Sequence, residues 1–207
     1  MGACSKEKRK KALRELQARG RKGTLSLVIF DVSDDDSIGA AAAKIQADFG
    51  RLDVLVNNAG IATTVLITRD SLRTAFDTNV FGAMLLTNAM TPLLHASKSP
   101  KIINVSLELG SITLKLDPAN PFYKMPGEIH RLSKAALNML EACQHVALEE
   151  VGGTVWAFCP GYVITDLTGD RENWKSQGAE SSETSAQGIL EIVQGKRDGN
   201  VGKFVTK

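Results

Sequence analysis

The sequence predicts a doubly wound α/β fold, a parallel sheet covered by helices on both faces, and three observations predict it. Short runs rich in β-branched and aromatic residues alternate with longer segments of helical periodicity along the whole chain. Glycine, aspartate or proline stands at most of the joints between them. No internal repeat and no linker interrupts the alternation, so residues 1–207 read as one domain.

From the start, Lys6 to Arg19 reads as a charged helix with Ala12, Leu13 and Leu16 inward, stopped by Gly20 and Gly23. Thr24 to Phe30 reads as a strand closed by Asp31. Ser33 and three aspartates supply a cap and favourable dipole charge for a helix over 37–49, with Ile38, Ala42, Ile45 and Phe49 on one stripe. Asp53 to Asn57 is a second, buried strand. Residues 69–95 form a long helix on the spacing of Leu72, Phe76, Asn79, Ala83 and Leu86. Lys101 to Ser106 is a third strand, and a loop rich in Pro and Gly over 110–127 leads to a helix opening near His130. On that helix, apolar residues at 132, 136, 140, 143 and 147 predict the buried stripe. Thr154 to Phe158 is a fourth strand. A polar stretch over 166–184 reads as a loop or partly helical lid, before a helix over 184–194 and a last strand near Val201–Val205.

The bulk composition excludes several classes. A net charge of +2 makes no electrostatic case for nucleic acid, and the basic run Lys6 to Lys11 reads as a solvated helix face. Three scattered cysteines argue for a reducing, cytoplasmic setting and against a disulfide framework or zinc site. No apolar run is long enough to span a membrane, and no signal peptide is recognisable. The start Met1-Gly2-Ala3-Cys4-Ser5-Lys6 hints at acylation, with its serine one position early for that pattern.

In a doubly wound sheet, ligands sit at the carboxyl ends of the strands. Asp31, Asn57, Asn58, Ser106 and the segment after Pro160 stand there. Asn57-Asn58-Ala59-Gly60 lets backbone approach a flat or phosphorylated ligand, or forms an Asn-stabilised turn. Asp31 either accepts hydrogen bonds from an adenine or caps the following helix. His130 and Lys134, four apart, share one helix face and form a candidate proton-transfer pair.

Taken together and in this order, the segments Val56–Gly60, Asn79 within Thr78–Gly82, Asn104-Val105-Ser106, Ser133–Asn138 and Pro160–Thr165 resemble the short-chain dehydrogenase/reductase family, in its carbonyl-reductase-like branch. The resemblance runs from about residue 2 to 206. It implies a Rossmann fold, NAD or NADP, and hydride transfer between nicotinamide and a small carbonyl or alcohol. By the same resemblance Asp31 and Val32 contact adenine, and Asn58, Ala59 and Gly60 lie beside the adenosine ribose. Asn79 holds a relay water, Lys134 binds the nicotinamide ribose, and Val163 and Thr165 contact the carboxamide and phosphates. It also implies a homodimer through the helix faces around 72–90 and 130–147.

Three departures qualify it. The family's catalytic tyrosine position holds His130, which leaves Lys134, Asn79, His130 and Ser106 as the candidate catalytic set. The serine that polarises the carbonyl is replaced by Leu107, and Ser106 beside it faces elsewhere if the strand continues. The opening strand, the turn Thr-Gly-x-x-x-Gly-x-Gly, its helix and the second strand have no counterpart here. Strand 24–30 then lacks its sheet neighbour and is expected to close up and pair in parallel with strand 53–57. The basic Lys6, Lys8 and Arg9 region favours NADP over NAD. The expected activity is therefore that of an NAD(P)-dependent oxidoreductase, against a catalytically silent relative or a scaffold reused for non-redox chemistry with His130 as acid.

Overall fold

The computed structural model describes residues 2–3, 6–19, 23–62, 66–165, 167 and 171–207. The acylation pattern at Met1, Cys4 and Ser5 lies outside them, as do the side chains of Lys6, Lys8 and Arg9.

Strands and helices alternate as the patterning requires: β1 (Gly2–Ala3), α1 (Lys6–Ala18), β2 (Val28–Ile29), α2 (Asp35–Phe49), β3 (Val54–Asn57), α3 (Arg69–Phe76), α4 (Gly82–His95) and β4 (Lys101–Val105). The chain continues with α5 (Ile112–Leu116), α6 (Glu128–Glu149), β5 (Thr154–Cys159), α7 (Arg171–Ser176), α8 (Ser182–Val193) and β6 (Phe204–Thr206). Strands β3-β4-β5-β6 form a fully parallel sheet in that order. The apolar strand runs are continuous because both faces are covered. One core cluster joins Val28, Ile38, Leu55, Leu86, Met90 and Ile102; the other joins Ile103, Trp156, Phe158, Ile192 and Val205 across the sheet.

The expected pairing of strand 24–30 with strand 53–57 does not occur. The strand is only two residues long, and it pairs with β1 in a separate two-stranded sheet, Gly2 opposite Val28 and Ala3 opposite Ile29. Packing holds this unit in place of a ladder. Val28 is buried in the same cluster as Leu55, and Val32 presses on α4 at Gly82. A Cβ on Gly82 would stand 2.7 Å from the Val32 carbonyl oxygen, so only glycine admits this approach. Side-chain burial is non-directional and does not require strands to be neighbours.

The helix expected over 69–95 is continuous in direction but contains a π-helical turn, Asp77–Phe81, between α3 and α4. Thr68 and Ser71 start α3 with a reciprocal capping box. Asp34 rather than Ser33 caps α2, accepting from the Ser37 amide. The stretch 166–184 carries α7 and the start of α8.

The stripe predicted on α6 is turned the wrong way. Its buried face is Ile129, Ser133, Lys134, Leu137, Glu141, Gln144 and Leu148. Of the predicted stripe, Leu132 (53% exposed), Cys143 and Ala147 point outward and Ala136 and Leu140 are half-buried; Met139 and Val146 are exposed beside them. The reason lies in the sheet beneath, which presents hydrogen-bonding groups. Asn57 Nδ2 donates to Asn104 Oδ1 (2.8 Å) and Thr87 Oγ1 (3.1 Å), and Asn104 Nδ2 donates to Gln144 Oε1 (2.8 Å). Gln144 of α6 is buried against such a partner, as Ser133 is against Asn79.

Candidate active site

The site lies at the carboxyl ends of β3, β4 and β5, against the first turns of α6. Asn79 is 1% exposed and stands in the π-helical turn, a distortion that often marks functional positions. Its Oδ1 accepts from the Ile61 amide at 2.7 Å, and its Nδ2 donates to the Ile61 carbonyl and to Ser133 Oγ, both at 2.9 Å. Ser133 in turn donates to the His130 carbonyl at 2.9 Å. The segment after β3 is thereby fixed to α6 through one buried amide and one buried hydroxyl.

Lys134 donates from Nζ to the Val105 carbonyl at 2.8 Å. Burial pushes its pKa down to about 8, and the neighbouring Cys159 thiol acts weakly the other way. A Cβ on Gly60 would stand 3.4 Å from Asn79 Oδ1 and 3.7 Å from Lys134 Nζ. Glycine there leaves open the space over the amine. Gly110 serves a second close approach: a Cβ would meet the Ala135 amide nitrogen at 2.7 Å, so the segment after β4 lies directly on α6.

His130 sits one turn before Lys134. Its pKa is lowered, first by burial and then by the Lys134 charge, while a backbone hydrogen bond with Ile61 works in the opposite direction. Its Nδ1 is buried without a partner. The Cys159 thiol is pushed up chiefly by burial. Leu107 follows β4 in extended conformation (φ −153°, ψ 142°) and has no side-chain donor. Ser106 is 2% exposed, and its hydroxyl is committed to α6 through Asn138 Oδ1 and, at 3.5 Å, the Lys134 carbonyl.

The structure thus brings together Gly60, Asn79, Lys134 and His130, with Ser106 beneath them. The other candidates are engaged locally. Asp31 accepts from the Ser33 amide and hydroxyl, at 3.0 and 2.7 Å, and its own amide donates to Ser37 Oγ, which makes it part of the turn into α2. Val32 packs on Gly82. Asn58 and Ala59 are exposed. Val163 is buried and bridges to Glu180, and Thr165 Oγ1 accepts from the Leu167 amide. Sequence reasoning missed Ser133 and Ile61. The first was visible only as part of a motif; the second acts through its backbone and leaves no side-chain signal. Among the described residues no cluster of three or more His, Cys, Asp or Glu could hold a metal ion, and no helix is long and apolar enough to cross a membrane.

Comparison with known proteins places the chain in a family and matches its fold. The sequence profile of the short chain dehydrogenase family matches residues 2–176. The chain belongs to that family, whose members are oxidoreductases. Among its relatives is the short-chain dehydrogenase anuI of Penicillium roqueforti, 34% identical over 215 aligned positions that cover 99% of this chain and 82% of the relative. The short-chain dehydrogenase/reductase tropE of Talaromyces stipitatus is 32% identical over 200 positions, covering 89% and 74%. An NADPH-bound carbonyl reductase from chicken fatty liver superposes with a TM-score of 0.83 at 30% identity, covering 99% of this chain and 83% of that one.

Proposed function

We propose that the chain is an NAD(P)-linked oxidoreductase scaffold for small carbonyl or alcohol substrates whose turnover is held down by two substitutions. The observation that carries this reading is the environment of Lys134. A buried amine held by the Val105 carbonyl lies near Gly60, on the helix to which Asn79 is bonded through Ser133, while the two positions that should donate hydrogen bonds to a carbonyl are Leu107 and His130. Leucine offers no donor. Removing one such donor typically lowers kcat by about a hundred- to a thousand-fold. His130, with its lowered pKa, is neutral at pH 7 and is a weaker acid than an imidazolium. Positioned acids are worth about a hundred- to ten-thousand-fold, although the two losses need not multiply.

The residues fit the cofactor in part. Lys134, Gly60 and Asn79 suit the ribose and nicotinamide end, where the bound cofactor would supply or accept hydride. The 207 residues contain no Thr-Gly-x-x-x-Gly-x-Gly turn to cradle a diphosphate, so the diphosphate end of the cofactor lacks that cradle. The structural likeness to an NADPH-bound carbonyl reductase favours NADP over NAD. Self-association fits the outward apolar seam of Leu132, Met139 and Val146 on α6, together with exposed Phe81 at the end of the π-helical turn and Met84 and Leu85 at the start of α4.

Calorimetric titration with NADPH and NADH tests the reading, followed by turnover of a generic carbonyl. Binding in the millimolar range or tighter is expected, and Leu107→Ser with His130→Tyr should raise turnover at least a hundredfold. Absence of binding by both cofactors, or a double variant no faster than the parent, would overturn it.

A further inference from the structure

We propose that Arg131 is a positioning residue: its guanidinium stitches the segment after β4 to the segment before α6, and so sets Leu107 and His130 in place around Lys134. The side chain is 9% exposed. Nη1 donates to the Leu109 carbonyl at 3.1 Å, and Nη2 donates to the carbonyls of Phe122 at 2.7 Å and Met125 at 3.2 Å. Leu109 lies two residues beyond Leu107. Met125 lies five before His130. One planar group on α6 therefore ties both ends of the connecting loop to that helix; the first end carries Leu107, and the second leads into the turn of α6 that holds His130.

Lys115 reinforces the same loop, donating to the carbonyls of Tyr123 at 2.8 Å and Met125 at 3.3 Å. Four backbone carbonyls thus converge on two cations, with that of Met125 shared. Among the described residues no carboxylate lies within ion-pair distance of Arg131; Glu128 feels its charge only at longer range, Nε has no partner, and the hydrogen bonds of the guanidinium all go to backbone carbonyls. Packing does not require this chemistry, since a methionine would fill the volume of the stem. Three carbonyls in different directions do require it: the rigid fork of arginine reaches them together, and a lysine point charge does not. Gly110, pressed on the backbone between Lys134 and Ala135, keeps the loop near enough for the stitch to form.

The inference deepens the reading of the Lys134 region as a ligand site, and two readouts keep them separate. The first is independent of activity. Amide exchange over 109–126 should rise about tenfold or more in Arg131→Ala, as loss of charge-assisted hydrogen bonds predicts, while β4 and β5 stay protected. Low-millimolar guanidinium chloride should restore protection, and equal sodium chloride should not. The NMR titration of the His130 ring should move in Arg131→Ala and return with guanidinium. If Arg131→Ala does not fold, Arg131→Met keeps the stem, and the same rise in exchange is expected. Unchanged loop exchange in either variant, a rise spread evenly over the sheet, or failure of guanidinium to restore the Ala variant would overturn the proposal.

The second readout uses the Leu107→Ser/His130→Tyr background. Adding Arg131→Lys should lower kcat tenfold or more with the KM for NADPH unchanged. An equal fall in both, or none, counts against positioning. If that background has no turnover at all, the oxidoreductase reading falls, and the exchange result still decides the stitch.

Discussion

Lys134→Met should stabilise the protein while removing the cation around which the site is arranged. The amine is 7% exposed, and burial lowers its pKa from 10.5 to about 8. Between those values the unfolded chain holds the proton and the folded one does not, so wild-type stability rises as pH increases through that window. Below pH 8 the full penalty applies. At pH 7 it is about 3 kcal/mol, and by pH 9.5 it has fallen to about 1.4 kcal/mol. Methionine removes the penalty but leaves the Val105 carbonyl without its donor, which costs about 1–1.5 kcal/mol. The variant should therefore be more stable by about 2 kcal/mol at pH 7, or roughly 4–8 °C in Tm, and about equal at pH 9.5. Urea denaturation of both proteins at the two pH values measures this. A variant less stable at pH 7, or a gap that does not shrink with pH, would refute the assignment of Lys134 as a charged group held in a desolvated site.

Gly82→Ala should lower stability by about 1–2 kcal/mol in urea unfolding, because the clash with the Val32 backbone outweighs the gain of about 1 kcal/mol in helix propensity. Gly39→Ala, on α2 with nothing within 4 Å of its Cβ, should do the opposite by about 0.5–1 kcal/mol. Glu141 is 6% exposed, burial raises its pKa, and its Oε1 has no partner. Native-state protonation then exceeds that of the unfolded chain, so its contribution to stability falls as pH rises through the raised pKa; Glu141→Gln should stabilise more at pH 7 than at pH 4 in thermal melts. Met139→Glu should shift a sedimenting dimer to monomer, and a wild-type chain that sediments as a monomer would remove the self-association reading.

Much of the architecture was legible in order and period alone. The strands at 54–57, 101–105 and 154–159 and the helices between them follow from runs of buried apolar residues and glycine or aspartate boundaries. Lys134 and Asn79 were legible as candidates because they occur within an ordered set of short segments, and the absence of a donor at Leu107 is a property of the residue itself.

Tertiary structure alone decided the rest. The outward turn of Leu132, Met139 and Val146 could not be read from α6, because its inner face meets hydrogen-bonding groups elsewhere in the chain, such as Asn104 on β4 at Gln144. The separate pairing of β2 with β1, and the close approach of Val32 to Gly82, join residues far apart in the chain that no local pattern encodes. Arg131 carries no signal in the sequence, and only the fold brings three loop carbonyls onto its guanidinium. Local sequence determines period and capping, since those act within a few residues. Which face is buried, and which atoms a side chain meets, is decided by elements far away in the chain.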